Sequence, residues 1–340
     1  QNWEGLVKRP GLVLIDFIEF EIGGVVIDKL YGEWIDIYYQ MCMNTDKYTK
    51  LSRLINGSLY QYKDCSPLNN QQTNILKFYI PIPFFFTKHI GLALPVFLLE
   101  YNEIVIHITF KSDNSILKIN KNSNIINRPK IENIKLLGDY IFLSKEEKLK
   151  FKSYTKDYII EQLQSTTKKH FFSNVSNINI DLPFHHPCKE LIWICQDEYN
   201  LIQSTSPNLG KYNPFCYSST SNLDIINNVE LLLNNVKRFK KRDGIYFRIV
   251  QPFQHHNGAY HHNKHNKEEK GFMYSYSFAL TPDNSEPSGT CNFSRVTNAK
   301  LVLSINNKII KGNRYFVKVY AINYNILRFH GGMANLLYTH

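Results

Sequence analysis

The most regular pattern along the chain is an alternation of apolar and polar positions with a period of two. In IDFIEFEIGG, Ile18, Phe20 and Ile22 alternate with glutamates, which predicts a strand with one buried face. Gly23 and Gly24 then supply the residue type that a tight turn needs. The stretch therefore predicts a strand that ends in a turn.

Two later stretches repeat this period. In EIVIHITF, the side chains at 104, 106, 108 and 110 share a face opposite His107, which we expect to point outward or to be satisfied within the strand. In RYFVKVYAINYNILRF the alternation sets Tyr315, Val317, Val319 and Ala321 against Phe316, Lys318 and Tyr320. Both stretches predict strands.

Helical signals are rare. The clearest is LSKEEKLKFKSYTKDYIIEQLQ, residues 143–164, where Ser144 and Glu147 match a capping box. Tyr158, Ile159 and Leu163 would give that helix an apolar stripe. We therefore expect one helix here in a chain of strands.

Strands separated by clusters of turn residues are typical of antiparallel sandwiches or barrels. The polar, Asn-rich stretch KSDNSILKINKNSNIINRPKIENI contains Pro129 and reads as a linker between two strand-rich parts. The sequence predicts an all-β fold of two domains, residues 1–133 and 134–340.

Composition supports a globular chain. Of its 340 residues 43% are hydrophobic and 20% are charged, which is enough apolar material for two cores. The net charge of +11 raises the question of nucleic acid, but the lysines are dispersed and the one dense run, KRFKKRDG, comes with no nucleic-acid-binding motif. We expect no sequence-specific nucleic-acid partner.

The six cysteines are scattered without a C-x-x-C pair, so disulfides are not expected. The longest apolar window, GLALPVFLLE, is about half of the ~20 residues that a membrane helix needs, and it contains Pro95. The chain is not expected to span a membrane. Trp34 and Trp193 stand among apolar neighbours, and both are expected to be core residues.

Candidate chemistry is sparse. The stretch QPFQHHNGAYHHNKHN holds five histidines: His255, His256, His261, His262 and His265. His261 and His265 have the i, i+4 spacing that would place them on one face of a helix. Proline, glycine and asparagine disfavour a helix there, and no Cys, Asp or Glu within the stretch completes a tetrahedral set. We therefore interpret it as an exposed loop with opportunistic metal affinity.

A second group, His185, His186, Cys188 and Glu190 in DLPFHHPCKE, is a poor metal site because adjacent strand residues face opposite sides. Phosphate-binding loops, nucleophile elbows and zinc-protease motifs are absent, and no carboxylate pair has a spacing that predicts acid–base chemistry. The sequence thus predicts no catalytic, cofactor-binding or metal residues and no enzyme.

Several longer stretches resemble one known family. In chain order they are IEFEIGGVVIDKLYGEWIDIYYQM, IPIPFFFTKHIGLALPVFLLEYNEIVI, LLGDYIFLSKEEKLKF with YIIEQLQ, FHHPCKELIWICQ, YFRIVQPFQHH, YSYSFALTPDNSEPSGTCNFSRVTNAKL and VYAINYNILRFHGGMANLLYTH. They are similar to segments of the major capsid proteins of the nucleocytoplasmic large DNA viruses of eukaryotes. In that resemblance, QPFQHH ends a strand and the remaining histidines lie in a loop before the strand FMYSYSFAL.

The resemblance implies a double jelly-roll, two eight-stranded antiparallel sandwiches in one chain. It further implies a homotrimeric capsomer with a pseudo-hexagonal outline, tiling an icosahedral shell of a large double-stranded DNA virus. Implied partners are other copies of the chain, minor capsid and penton proteins and the inner viral membrane. The implied location is the virion, after assembly in the host cytoplasm.

Gln1 falls at a strand well inside the family's first jelly-roll. We therefore expect that jelly-roll to lack its amino-terminal arm and roughly two of its eight strands, which predicts poor solubility of the chain alone. Two alternatives remain beside the capsid subunit. One is a lectin-like jelly-roll that binds glycans, and the other is a cupin-like metalloenzyme that uses the histidines.

Overall fold

The computed structural model describes residues 3–56, 76–119, 130–201, 214–217, 224–258, 272–309 and 313–339. We call residues 3–119 the first half and residues 145–339 the second half. His261, His262 and His265 of the histidine-rich stretch lie outside the described residues. The structure therefore reports only on His255 and His256 of that stretch.

The first half combines short strands with helices. Its strands are β1 (Trp3–Leu6), β2 (Ile15–Ile22), β3 (Val25–Tyr31), β4 (Ile104–Phe110) and β5 (Leu117–Ile119). Its helices are α1 (Pro10–Leu14), α2 (Gly32–Cys42), α3 (Thr45–Asn56) and α4 (Phe85–Lys88), with 3-10 turns at Ile90–Leu92, Val96–Leu98 and Asp113–Ile116.

The second half is built mainly from strands. They are β6 (Lys156–Ser165), β7 (Lys169–Phe172), β8 (Asn177–Asp181), β9 (Pro187–Asp197), β10 (Ile226–Leu233), β11 (Val236–Lys237), β12 (Arg242–Asp243), β13 (Met273–Ser277), β14 (Cys291–Asn292), β15 (Ala299–Ile305), β16 (Arg314–His330) and β17 (Met333–Leu336). Helical elements are α5 (Lys145–Lys152), α6 (Gln251–His255), a π-helical turn at Tyr246–Val250 and 3-10 turns at Glu198–Leu201 and Phe293–Arg295.

Within the described ranges the strands form four antiparallel sheets. The first half has a three-stranded sheet in the order β3-β2-β4 and the pair β1-β5. The second half has a five-stranded sheet, β11-β10-β15-β8 with β12 beside β10. Its seven-stranded sheet runs β13-β9-β16-β17, with β14 beside β9 and both β6 and β7 beside β16. The predicted antiparallel β protein is confirmed, while α2 and α3 are helices that the period-two pattern did not reveal.

Strand β2 has the predicted pattern. Ile18, Phe20 and Ile22 are buried in the core of the first half, and the intervening glutamates are partly exposed. Gly23 and Gly24 have φ values of 57° and 82°, in the left-handed region where glycine is favoured. The turn directs β3 back alongside β2.

The prediction of one helix over residues 143–164 is wrong in its second part. Helix α5 ends at Lys152, and residues 156–165 form β6, which pairs with β16 from Ser165 to Lys156. Ile160 is fully buried whereas Ile159 is exposed, as a strand's alternation requires. A long ladder on β16 outweighs the weak local helical signal.

The segment YFRIVQPFQHH is helical, so the expectation that QPFQHH ends a strand is wrong. The π-helical turn Tyr246–Val250 runs directly into α6. The change of hydrogen-bonding pattern falls next to Pro252, which has no backbone N–H to donate. The next strand, β13, follows as expected within the stretch FMYSYSFAL.

The five- and seven-stranded sheets of the second half enclose one core. Ile180, Val229 and Leu301 from the smaller sheet pack with Leu191 and Val317 from the larger one. Because apolar side chains of both sheets face inward, the two sheets form a sandwich. This part agrees with the predicted β-sandwich.

The central strands of the seven-stranded sheet, β9 and β16, are buried on both faces. In β9, Leu191, Trp193 and Cys195 point into the sandwich, while Ile192 and Ile194 belong to the core of the first half. Strand β16 also contributes to both cores. The odd-numbered residues from Tyr315 to Ala321 face the sandwich, and the core of the first half receives Tyr320, Ile322, Leu327 and Phe329. The sheet is therefore a wall shared by both cores.

Candidate assembly surface and the junction between the halves

An extended segment between the halves exposes many apolar side chains. Residues 130–144 contain no helix or strand. Phe142 is 93% exposed and Leu137 74% exposed. We define the apolar band as Ile134, Leu136, Leu137, Tyr140, Ile141 and Phe142. Large apolar side chains that are exposed together in one segment indicate an interaction site.

The apolar band ends at a well-defined helix start. The Ser144 hydroxyl accepts from the Glu147 backbone N–H at 3.2 Å, and the Glu147 carboxylate accepts from the Ser144 N–H at 2.8 Å. These hydrogen bonds, the Ser144 backbone bond foremost, hold the pKa of Glu147 below its usual value. The predicted capping box is confirmed, and it fixes where the chain leaves the apolar band.

The junction between the halves is held by buried ion pairs in addition to apolar packing. Arg9, just before α1, contacts Asp36 of α2, and the Tyr217 hydroxyl donates to the same carboxylate at 3.1 Å. The Arg9 guanidinium also lies 5.6 Å from the centre of the Phe215 ring. Asp36 thus ties two helices of the first half to a segment of the second.

A second buried charge cluster lies on β6. The carboxylate of Glu161 accepts from Lys88 of α4 at 2.8 Å and from Lys189 of β9. Lys189 also donates to the carbonyl of Pro282 at 2.6 Å. Burial opposes ionisation of Glu161, but the two lysines outweigh burial and hold its pKa below the usual value. Glu161 therefore joins the first half to the shared sheet.

Asp28 of β3 makes a third link. Its Oδ1 accepts from the backbone N–H of Leu163 in β6 at 3.0 Å and from that of Lys29 at 2.9 Å. Burial raises the pKa of Asp28 to about 6, although both backbone hydrogen bonds and Lys88 lower it. A single carboxylate oxygen thus connects a strand of each half.

A fourth group gathers around His256, directly after α6. Its Nε2 lies 2.5 Å from Oε1 of Glu190 and its Nδ1 lies 2.8 Å from Oδ1 of Asp283. The Cys42 thiol, at the end of α2, completes the group. Burial disfavours the imidazolium, but the two carboxylates outweigh burial and raise the pKa of His256 well above its usual value. Burial also raises the pKa of Cys42 to about 12.

The residues of DLPFHHPCKE do not form one cluster. His185 is exposed, and His186 is buried with a left-handed φ of 65°. Cys188 lies in the sandwich core, while Glu190 lies on the opposite side and meets His256. His185 and His186 precede β9, so they are not separated by the strand alternation that the sequence predicted. Cys188 and Glu190 point to opposite sides because a register shift falls between them, and the contact of Glu190 with His256 was not foreseen.

Other residues stand where the sequence placed them. The His107 side chain is half-exposed, and its Nε2 lies 3.3 Å from Glu21 on β2. Trp34 and Trp193 are buried, one in each core, as predicted. Among the cysteines that the structure describes, Cys42, Cys188, Cys195 and Cys291 carry free thiols.

Sequence reasoning missed the cluster that joins Cys42, His256 and Asp283. These residues are far apart along the chain, and no local spacing brings them together. Gly258 is the residue that reflects this contact in the sequence, because a Cβ there would come within 1.9 Å of the Met41 carbonyl oxygen. That glycine lets the chain after α6 press against the end of α2.

Among the described residues, no helix is both long enough and apolar enough to cross a membrane. The described features are a sandwich, a shared sheet, buried structural ion pairs and an exposed apolar band. Such a combination indicates a protein that functions through contacts with other proteins.

Comparison with known proteins gives the family. The family described as "Large eukaryotic DNA virus major capsid protein" matches residues 147–335, and the one described as "Major capsid protein N-terminus" matches residues 5–144. The chain belongs to the family of large eukaryotic DNA virus major capsid proteins. It is a structural component of the virion capsid, not an enzyme.

Individual relatives agree. The major capsid protein of Pyramimonas orientalis virus is 32% identical, over 98% of this chain and 79% of its own length. The crystal structure of PBCV-1 VP54, which was fitted into a reconstruction of the virophage Sputnik, matches with a TM-score of 0.76 at 29% identity. That match covers 100% of this chain and 87% of the other. A quasi-atomic model of the PBCV-1 virus capsid matches with a TM-score of 0.75 at 28% identity, over 100% and 88% of the two chains.

Proposed function

We propose that the chain folds as two jelly-rolls, residues 1–133 and 134–340, and that three copies form one capsomer with a pseudo-hexagonal outline. These capsomers would tile an icosahedral shell. Two similar lobes per chain give six near-equivalent lobes under threefold symmetry, which suits lateral contacts between identical units. The two family matches, which meet between residues 144 and 147, support a two-part chain.

The observation that carries the trimer is the apolar band. Full burial of a large apolar side chain contributes about 1.5–3 kcal/mol, so six such side chains in one segment are a strong driving force for association. The occupant that we propose is a second copy of the chain. A shell made from many copies places identical surfaces next to each other, and a similar chain was solved within a virus capsid.

Further partners follow from the same proposal. Neighbouring capsomers would meet laterally, and minor capsid and penton proteins would fill the seams and vertices. The inner viral membrane would lie beneath the shell, with assembly in the host cytoplasm. The dispersed positive charge suits contacts with acidic surfaces of any of these partners but selects none of them.

Light scattering coupled to size exclusion tests the trimer directly. We expect the chain to elute with the mass of three copies, and the double variant Leu137→Ser, Phe142→Ser to shift toward the monomer. The matched control is Phe253→Ser, because Phe253 is 85% exposed and lies on α6, outside the segment of the apolar band. The control should remain trimeric.

A folded wild-type monomer at micromolar concentration would contradict the trimer. It would favour the alternative of a glycan-binding jelly-roll, which saturable binding on a glycan array would then test. If the double variant and the control both remained trimeric, the capsomer would be supported, but the apolar band would not be part of its interface.

A further inference from the structure

The strongest unassigned cluster lies at the junction between the halves, where three chain segments meet. Cys42 ends α2, His256 follows α6, and Asp283 lies between β13 and β14. The thiol sulfur, one ring nitrogen of His256 and one carboxylate oxygen of Asp283 all lie within 4.8 Å of one another. From this geometry we propose a zinc site in which Cys42, His256 and Asp283 bind one ion.

The ligand types favour zinc. Thiolate, imidazole and carboxylate are the three side chains that bind this borderline ion in proteins, and a fourth position remains for water. Around a tetrahedral ion, ligand atoms are separated by about 3.3–3.8 Å, as follows from metal–ligand distances of about 2.0–2.3 Å. With the ion bound, the Nδ1–Oδ1 contact of 2.8 Å would open by about 0.5 Å, and a ligand atom that starts near the 4.8 Å limit would move inward by about 1 Å.

The surroundings of His256 match those of a metal-bound imidazole. Its Nδ1 faces Asp283, so that this nitrogen is placed to bind the ion. Its Nε2 faces Glu190, whose side chain is only 1% exposed. A metal-binding histidine usually donates its second ring N–H to a carboxylate, which fixes the tautomer and the orientation of the ring. Glu190 fills that role here.

Asp283 is also held in position. Its Oδ2 accepts from the Asn257 backbone N–H at 2.6 Å, which leaves Oδ1 on the side of the imidazole. The contact of Gly258 with the Met41 carbonyl fixes the segment after His256 against the end of α2. The three ligands are therefore presented by backbone that close packing already holds.

Charge balance is met by exchange of one ion for two protons. An imidazolium and a neutral thiol next to two carboxylates carry a net charge of −1. With Zn²⁺ bound, the thiol proton and one imidazole proton leave to solvent, and the cluster again carries −1. The buried site thus accepts the divalent ion without gaining charge, which avoids the cost of burying an unbalanced one.

The test measures zinc in the full chain. After removal of metal with a chelator and dialysis, the protein is titrated with Zn²⁺ against a chromophoric competitor. The amount of bound metal is measured by inductively coupled plasma mass spectrometry. We expect one equivalent per chain. Cys42→Ser should lower the affinity at least tenfold, while Cys291→Ser, a partly exposed cysteine on β14, should leave it unchanged.

Cobalt provides a second readout that does not depend on stability. Co²⁺ bound to a thiolate gives a charge-transfer band in the near ultraviolet, so that the wild type and Cys291→Ser should show the band and Cys42→Ser should not. Asp283→Asn is the second variant, because an amide oxygen still accepts from Asn257 and preserves the fold. It should weaken zinc binding.

Two results would overturn the proposal. The first is less than a tenth of an equivalent of zinc in folded wild-type protein at micromolar free Zn²⁺. The second is equal binding by the wild type, Cys42→Ser and Asp283→Asn, which would locate the ion at other histidines of the chain.

Discussion

Arg9 and Asp36 form a buried ion pair in which one guanidinium nitrogen, Nη1, lies 2.8 Å from Oδ1 and 3.1 Å from Oδ2. The Asp36 side chain is 1% exposed and that of Arg9 is 10% exposed. Gln40 and Tyr217 also donate to Oδ2 of Asp36. The carboxylate is thus the centre of a polar network that crosses from one half to the other.

Replacement of Asp36 should be costly because it leaves a buried arginine without its counter-charge. We expect Asp36→Asn to lower the free energy of unfolding by about 3 kcal/mol, measured by urea denaturation. The matched control is Asp157→Asn, which removes the bidentate partner of Arg328 on the surface. That exposed pair should matter little. Equal losses in the two variants would show that burial does not set the cost.

The shared sheet should make the two halves unfold together. In a variant with Trp3→Phe and Trp34→Phe, fluorescence reports on Trp193, which lies in the core of the second half. Adding Gly32→Ala, whose new Cβ would meet Leu12 and Ile15, both in the first half, should lower the urea midpoint reported by Trp193. An unchanged midpoint would mean that the halves unfold independently.

Asp28 should make stability depend on pH in an unusual direction. Its pKa of about 6 lies above the value of about 3.9 expected for the unfolded chain. Between these values the folded state binds more protons, so this group's contribution to stability increases as the pH falls from about 6 to about 4.

Asp28→Asn should remove that dependence. The amide oxygen can still accept from Leu163 and Lys29, but the buried charge is gone. We expect a gain of about 2 kcal/mol at pH 8 and almost none at pH 4, from chemical denaturation at both values. A loss of stability at pH 8 would mean that the ionised Asp28 carboxylate stabilises the folded chain more than a neutral amide does.

Gly32 should not tolerate a side chain. A Cβ there would lie 2.3 Å from the Leu12 carbonyl oxygen and 2.5 Å from that of Ile15, so that α2 would be forced away from α1 and β2. Gly32→Ala should cost about 1–3 kcal/mol, measured as a lowered melting temperature. Gly138→Ala is the control, since nothing lies within 4 Å of its Cβ position. Gly138→Ala should have the same melting temperature as the wild type.

The sequence predicted those parts of the fold that depend on local pattern. Strand β2, its Gly-Gly turn and the Ser144 capping box follow from neighbouring residues, and each is confirmed. The sequence predicted a helix where β6 lies. The strand is stabilised by pairing with β16, more than 150 residues away, and a local pattern does not contain that information. The period-two reading also missed α2, whose Trp34, Ile35 and Ile37 are buried on several sides.

The clusters at the junction were harder to predict for the same reason. Glu161 meets Lys88 and Lys189, and His256 meets Cys42, only after the chain has folded. In the sequence these residues look like ordinary surface charges and a loop histidine. Their partners are fixed by the packing of the first half against the shared sheet.

The seven-stranded sheet that serves both cores has a mechanical consequence. A load applied to either half passes into the other through strands that contribute side chains to both cores. Each subunit should then respond to pressure from inside a particle as a single stiff block. Deformation of a shell built from such blocks would be concentrated in the seams between subunits, and those seams would fail first.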